Sequence, residues 1–249
     1  MASKGFTSGA GRVGTYDPAI NPAFRTGLWK DCPLAEYQHD PSIGLYIHEN
    51  WTRYEAGGAP YTLTQATTGA ATKSTAASGV LEIDSNSTTA TQGATLQHQQ
   101  AVIVPVAGSK IWAQFAFKIV DTFDKAEIFV GLSELDTTLI ATSANSSANH
   151  IGWECVTDNG VLLFTSEKAG AGATKAAATI AEATYIELGL YVDGVTSVAQ
   201  YINDVLVGTA HVTANVPIVA LYPSFVCQSG GTNDPIMHVK PYHIFQLYA

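Results

Sequence analysis

The sequence predicts an all-β chain folded as an antiparallel β-sandwich of the jelly-roll kind, preceded by an extended N-terminal arm. Three observations carry this prediction. Apolar and polar residues alternate at period 2 over many short segments. Turn dipeptides such as Asn159-Gly160 and Asp193-Gly194 recur between those segments. No segment carries a long apolar stripe at helical spacing. The chain has 249 residues, within the ~200–250 that all-β sandwiches occupy as one domain.

Residues 1–43 form the arm and residues 44–249 the sandwich domain. In the arm, glycine, proline and small polar residues dominate, with Tyr16, Phe24, Leu28 and Trp29 as scattered apolar anchors. Pro18, Pro22, Pro33 and Pro41 disfavour long helices and central strands. Such an arm gains little by folding on itself. It is expected to lie along another surface: its own sandwich, a neighbouring subunit or a larger shell.

The first strand is expected over 45–51. Residues 66–78, rich in Thr, Ala, Ser and Gly, read as a loop or a weak edge strand. In 80–84, Leu81 and Ile83 share a face. The clearest strand is 111–120, with Ile111, Ala113, Phe115, Phe117 and Ile119 on one side and Gln114 and Lys118 on the other. Trp112 falls on the opposite face, so it packs under a further layer or at a subunit contact. In 126–133, Ile128, Val130 and Leu132 point inward. Segments 150–156 and 161–165 flank Asp158-Asn159-Gly160 as a hairpin, with Trp153 in the core. Residues 168–183 are Ala-rich, but Gly170 and Gly172 and the lack of bulky apolar residues favour a loop. Segment 185–193 buries Ile186, Leu188, Leu190 and Val192. Turns at Asp193-Gly194 and Asn203-Asp204 lead into two return strands, and 218–227 and 237–248 complete about ten to twelve strands.

Composition narrows the partners. Net charge is −9 with no Lys/Arg cluster, which excludes phosphate-backbone binding and attraction to an anionic membrane surface. Cys32, Cys155 and Cys227 are odd in number and far apart, so they read as free thiols rather than a disulfide framework or zinc site. The polar, Gly/Ser-rich N-terminus lacks the apolar core of a secretory signal, and no apolar run approaches the ~20 residues of a membrane span. Synthesis in a cytoplasm and release by lysis are expected. Charged residues make up only 13% of the chain, about half the usual ~25%. That composition suits a protein held in a symmetric assembly or living outside a cell.

Residues 185–209 read YIELGLYVDGVTSVAQYINDVLVGT. This stretch resembles the hairpin pair of concanavalin A-like (laminin-G-like) jelly rolls. Residues 111–134 are similar to the preceding core strands, and with the last strand the resemblance spans roughly 45–249. It implies fold far more than function, because the fold hosts lectins, glycosidases and viral surface modules. A second resemblance lies in layout: an arm, then GLWKDCPLAEYQHDPSIGLYIHENW at 27–51, then a low-charge jelly roll. This is similar to structural virion proteins of tailed bacteriophages, especially capsid decoration (cement) proteins. It implies a non-enzymatic protein on the capsid surface of the virion. It also implies the major capsid protein as partner, a homo-oligomer with a trimer favoured, and docking through Tyr16, Phe24, Leu28 and Trp29. The alternative is a carbohydrate-binding module or adhesin of a tail or head fibre, recognising host surface glycans through Trp51, Tyr54 and Tyr61.

Catalytic motifs fall short. Retaining glycosidases of this fold place three acids on one face in E-x-D-x-x-E. Glu82-Ile83-Asp84-Ser85-Asn86-Ser87 has Ser87 where the proton donor belongs, and Glu134-Leu135-Asp136 has Leu139 there. His48-Glu49 opens like a zinc-protease motif, but Thr52 stands in the fifth place. Asp121, Asp124 and Asp136, or Asp193, Asn203 and Asp204, carry oxygens for calcium, though turn chemistry accounts for them. The seven histidines are dispersed, with His238 and His243 nearest in sequence. The sequence implies no catalytic residue, cofactor or resident metal.

Overall fold

Period-2 alternation sorts the chain into strands whose inward side chains meet between two sheets. The computed structural model describes residues 27–56, 58–66, 69–74, 79–121, 123–141, 144–145, 147–156 and 159–249. In chain order these form a one-turn helix α1 (Leu34–Tyr37) and then β1 (Gly44–Glu49), β2 (Tyr61–Ala66), β3 (Ala70–Lys73), β4 (Leu81–Asp84), β5 (Gly93–His98) and β6 (Lys110–Ile119). There follow β7 (Ala126–Ser133), β8 (Ile140–Ala141), β9 (Ala144–Asn145), β10 (His150–Cys155), β11 (Val161–Lys168) and β12 (Ala171–Thr179). The last are β13 (Ile186–Asp193), β14 (Ser197–Ile202), β15 (Val205–Val212), β16 (Tyr222–Ser229), β17 (Ile236–Val239) and β18 (Tyr242–Leu247).

A nine-stranded sheet runs β15-β14-β13-β6-β17-β4-β3, with β18 also beside β6 and β1 outside β18. Its fork has a local cause. β17 pairs with the C-terminal half of β6 and β18 with the N-terminal half. Pro241, lacking an N–H, stands between them. A seven-stranded sheet runs β12-β11-β10-β7-β16-β5-β2. The fold is the antiparallel jelly-roll sandwich that the alternation predicts.

Between the sheets, Ile111, Ala113, Phe115, Phe117 and Ile119 of β6 are fully buried, as are Ile128, Val130 and Leu132 of β7. An aromatic cluster closes one side of the core. Trp51 lies 5.8 Å from Phe225 and 5.5 Å from Tyr242, ring centre to ring centre, and Phe115 lies 5.8 Å from Phe225. Trp51 sits at φ 61°, a strained conformation for a bulky residue. It is held there by its indole N–H donating to the Lys240 carbonyl at 2.9 Å, and by its amide donating to Glu49 Oε1 at 2.6 Å.

Two sequence expectations change. Residues 171–179 form an edge strand rather than a loop. Ala169 and Gly170, both at positive φ, make the two-residue turn that folds β12 onto β11. Backbone pairing there overrides the weak side-chain pattern. β2 and β5 emerge where Thr and Gln masked the alternation, and the strand expected from 218 starts at Tyr222.

The described part of the arm takes one of its expected courses, along its own sandwich. Residues 27–43 do not extend away. They turn, form α1 and lie over the outer face of the nine-stranded sheet. Asp40, extended before Pro41, ends the helical segment. Leu28 packs in one cluster with Trp112 and Phe245, flanked by Trp29, Tyr37, Tyr191 and Tyr201. Asp204 Oδ1 accepts the Leu28 amide at 2.8 Å, and Gln114 Oε1 accepts the Trp29 indole N–H at 2.5 Å. Gly189 makes the approach possible, since a Cβ there would meet Leu28 Cδ2 at 2.8 Å. The layer expected over Trp112 is this strap.

Two outcomes follow. Leu28→Ala is expected to cost ~2–3 kcal/mol in urea unfolding, whereas Leu135→Ala, at an exposed site, should stay within ~0.5 kcal/mol. Burial pushes the His150 and His211 imidazoles down to about 4, the neighbouring Lys175 adding to the effect at His211. The unfolded chain therefore takes up their protons first as pH falls below ~6.5, and stability declines on the order of 3 kcal/mol per histidine by pH 4. Burial holds the Glu154 carboxyl above its usual range, which works in the opposite sense. Urea midpoints measured from pH 7.5 to 5 should fall, and His211→Leu should flatten the decline.

Candidate functional site

The outer face of the seven-stranded sheet concentrates the chain's buried polar chemistry. Alternation in β7 turns Ile128, Val130 and Leu132 inward, and so sends Glu127, Phe129 and Ser133 outward. Glu127 stands directly opposite Gln228 of β16, and Phe129 opposite Glu154 of β10. The two carboxylates are thus diagonal neighbours on adjacent strands, with Cβ atoms about 7 Å apart by sheet geometry. The Glu154 carboxyl is raised by burial, an effect opposed by the neighbouring Asn145 side chain and reinforced by Glu167.

A flap, described over 134–141, 144–145 and 147–149, packs on this face. Its start is fixed by Gln97, whose Oε1 accepts the Asp136 amide at 3.0 Å and whose Nε2 donates to the Glu134 carbonyl at 3.0 Å. Its end is fixed by His150, with Nδ1 2.9 Å from the Ser147 carbonyl and Nε2 3.1 Å from Thr165 Oγ1. Between these anchors Leu139 and Ile140 pack on Phe129 and Val226. Gly152 lets Phe129 lie flat beneath them, since a Cβ there would meet the Phe129 ring at 2.9 Å. Beside the flap lies a cavity of about 390 Å³, lined by Thr64, Thr95, Thr137, Thr138, Ile140 and Gln228 among others. Its lining carries neither charge nor aromatic ring, and the buried Gln228 Oε1 has no hydrogen-bond partner.

Two acids, one with a raised pKa, are the pair that acid–base cleavage of a glycoside uses. Here Glu127 and Glu154 are only 1% and 8% exposed. A polymeric substrate needs an open groove over its acids, and this pair lies under the flap.

The sequence-derived candidates fall elsewhere. Tyr16 and Phe24 lie outside the described residues. Leu28 and Trp29 are engaged on the chain's own sheet, so they are not available to dock a capsid. Trp51, Tyr54 and Tyr61 are 0%, 3% and 5% exposed. They fill the core and cannot stack on a sugar; the polar residues between them masked their shared inward orientation.

Glu82 pairs with His238 at 3.0 Å, Asp84 accepts the Asn86 amide at 2.7 Å, and the Ser87 amide donates to Asp234. That stretch is a strand and turn, as its incomplete acid motif suggests. Glu49 holds Trp51 and the Tyr61 hydroxyl. Asn203 and Asp204 accept the Glu187 and Leu28 amides. Among the described residues, no group of three or more His, Cys, Asp or Glu side chains is placed to hold a metal. His238 and His243 do not meet: His243 stacks on His48 instead. Glu127, Glu154 and Gln228 were missed in the sequence. The available signal was Phe129 beside Glu127 on an outward face, since an exposed aromatic in mid-sheet calls for a cover.

Comparison with known proteins supplies the fold but no family. No family model matches the chain, and no curated protein matches it. Among solved structures, it is similar to peanut lectin, with TM-score 0.56 and 13% identity over 82% of this chain and 97% of the lectin. It is likewise similar to an endo-1,3-β-glucanase from Streptomyces sioyaensis, with TM-score 0.56 and 12% identity over 84% and 98%. Arcelin-5, a lectin-like defence protein from Phaseolus vulgaris, gives TM-score 0.56 and 9% identity over 83% and 100%. The chain therefore shares the concanavalin A-like sandwich common to lectins and glucanases, and at these identities the likeness is one of fold.

Proposed function

We propose that this chain is a non-catalytic structural protein of a virus particle, a decoration or cement protein on the outside of a bacteriophage capsid. The observation that carries this reading is one end of the sandwich. Loops 99–109 and 213–221 are joined there by paired hydrogen bonds between Ile103 and Leu221, at 2.9 and 2.8 Å. Neither loop contains a charged residue, in a chain of net charge −9. Val102, Val106, Ile218 and Val219 keep 38–53% of their surface exposed. An uncharged apolar end suits a permanent contact in an assembly.

Docking on the major capsid protein uses this end and the arm's remaining anchors, Tyr16 and Phe24. Copies arranged around a symmetry axis, with a trimer favoured, multiply a modest contact through multivalency. The closed acid pair and the sparse surface charge agree with a mechanical role.

Density-gradient fractionation of a native lysate tests this reading. The chain should co-migrate with DNA-filled particles at a copy number comparable to the shell protein. Deleting 1–26 or introducing Val102→Asp with Ile218→Asp should abolish docking and leave the sandwich folded. Deletion of 1–40 should also destabilise the sandwich, because it strips the strap from Trp112 and Phe245. Particles that lack the wild-type chain overturn the proposal, as does docking unchanged in both variants.

A second reading rests on the flap-side cavity. Its neutral hydroxyl and amide lining fits a small saccharide unit of a host surface glycan, in keeping with the lectins among the similar folds. On a glycan array Gln228→Ala should lose at least about tenfold in affinity, since it removes a polar group aimed into the cavity. An array without saturable binding removes this reading.

A further inference from the structure

The outer face of the nine-stranded sheet brings two histidines together that the sequence places 195 positions apart (243 − 48). His48 of β1 and His243 of β18 are direct antiparallel partners. Their imidazoles stack with centroids 4.4 Å apart and planes inclined by 16°. We propose that His48 and His243 form a two-nitrogen site for a borderline divalent transition metal, of the class of Cu²⁺, Ni²⁺ and Zn²⁺.

The surroundings prepare the rings for this role. Tyr46 Oη lies 2.8 Å from His243 Nδ1. When Nδ1–H donates to that hydroxyl, the lone pair of His243 stands on Nε2, the arrangement in which an outer partner orients a metal-binding imidazole. The Trp29 ring meets His243 edge-on at 6.5 Å, and Gln114 is its partner on the next strand. Burial, together with the neighbouring His48, lowers the pKa of His243. His48 is exposed and free to tilt.

Nitrogen–metal bonds of ~2.0–2.1 Å place two ligating nitrogens about 3.3 Å apart in a tetrahedral site. The rings are stacked, so chelation requires the exposed His48 to turn its ring nitrogen toward His243. The protein supplies two ligands, and water completes the shell. Imidazole donors select Cu²⁺ over Ni²⁺ and Zn²⁺ and disfavour Mg²⁺ and Ca²⁺. Because β1 pairs with β18 alone, the ion would staple that edge strand to the sheet and stabilise it by linkage.

The test uses the full chain, stripped of metal with a chelator, at pH 7.5. Calorimetric titration with Cu²⁺, Ni²⁺ or Zn²⁺ alone should give one saturable ion per chain, with Mg²⁺ giving none. His48→Ala, at an exposed position, should weaken binding by more than about tenfold and abolish the metal-induced rise in melting temperature. His39→Ala should change neither. The electron paramagnetic resonance spectrum of the Cu²⁺ form should show two coupled nitrogens, falling to one in His48→Ala. Absence of saturable binding in the wild type overturns the site. So does His48→Ala binding as tightly as wild type, or loss of binding in His39→Ala.

Discussion

The architecture depends on one constraint: each sheet carries a cluster of large apolar side chains on its outer face as well as on its inner one. A two-layer sandwich buries one face of each sheet and leaves the other to water. Here the nine-stranded sheet carries Trp112 and Phe245 on its outer face, and the seven-stranded sheet carries Phe129 and Val226. Exposed, these side chains would form patches that invite non-specific association. The chain meets the constraint with its own segments. Strap 27–43 closes over the first sheet, and the described parts of the flap, 134–141, 144–145 and 147–149, over the second. The described molecule is a four-layer object in which both inner layers are β-sheets.

The covers decide what the surface offers. With the strap in place, Leu28 becomes an interior residue and Trp29 a half-buried one, and the aromatic row from Tyr46 to Trp112 is roofed along part of its length, leaving His48 exposed. With the flap in place, Glu127 and Glu154 support an internal polar layer rather than a groove. Most of the large apolar side chains that stay exposed lie at the margins, in loops 99–109 and 213–221 and on edge strand β15. There Val205, Leu206 and Val212 face solvent. Edge strands of solitary proteins usually carry charge as protection, and β15 has only His211 as a titratable side chain, turned inward. Contact surface is therefore concentrated at an end and an edge, while both faces are shut.

How much of this was legible in the sequence depends on what alternation reports. Period 2 tells which side chains oppose each other across a sheet, and it read β4, β6, β7, β13 and their inward residues correctly. It also located the hairpins, because Gly160 in the first turn, and both Asn203 and Asp204 in the second, adopt the positive φ that tight turns need. Alternation does not tell whether the outward face meets water or a cover. Trp112 signalled a further layer, yet the identity of that layer as 27–43 required the Leu28 contact with Gly189, 161 positions away (189 − 28). Trp51, Tyr54 and Tyr61 failed as sugar-stacking candidates for a related reason. An aromatic residue among polar neighbours looks exposed until the fold places it, and here a positive φ at Trp51 rotates the indole into the core. The candidate site was the least legible part, since Glu127, Glu154 and Gln228 come from three separated strands and share no motif.

The lectins and the glucanase that share this sandwich differ from it in about nine residues of ten. Core volume and alternation are what the sandwich requires of its inward residues. Outward residues and the segments that cover them are free to diverge, and function follows them. A groove for a polysaccharide needs one sheet face left open with acids presented on it. This chain places a pair of acids on such a face and then anchors a flap over them through Gln97 and His150. The anchors are buried hydrogen bonds whose loss would strand polar groups beneath Leu139 and Ile140, at ~1–3 kcal/mol each. A flap tied at both ends and packed on Phe129 and Val226 is part of the native core.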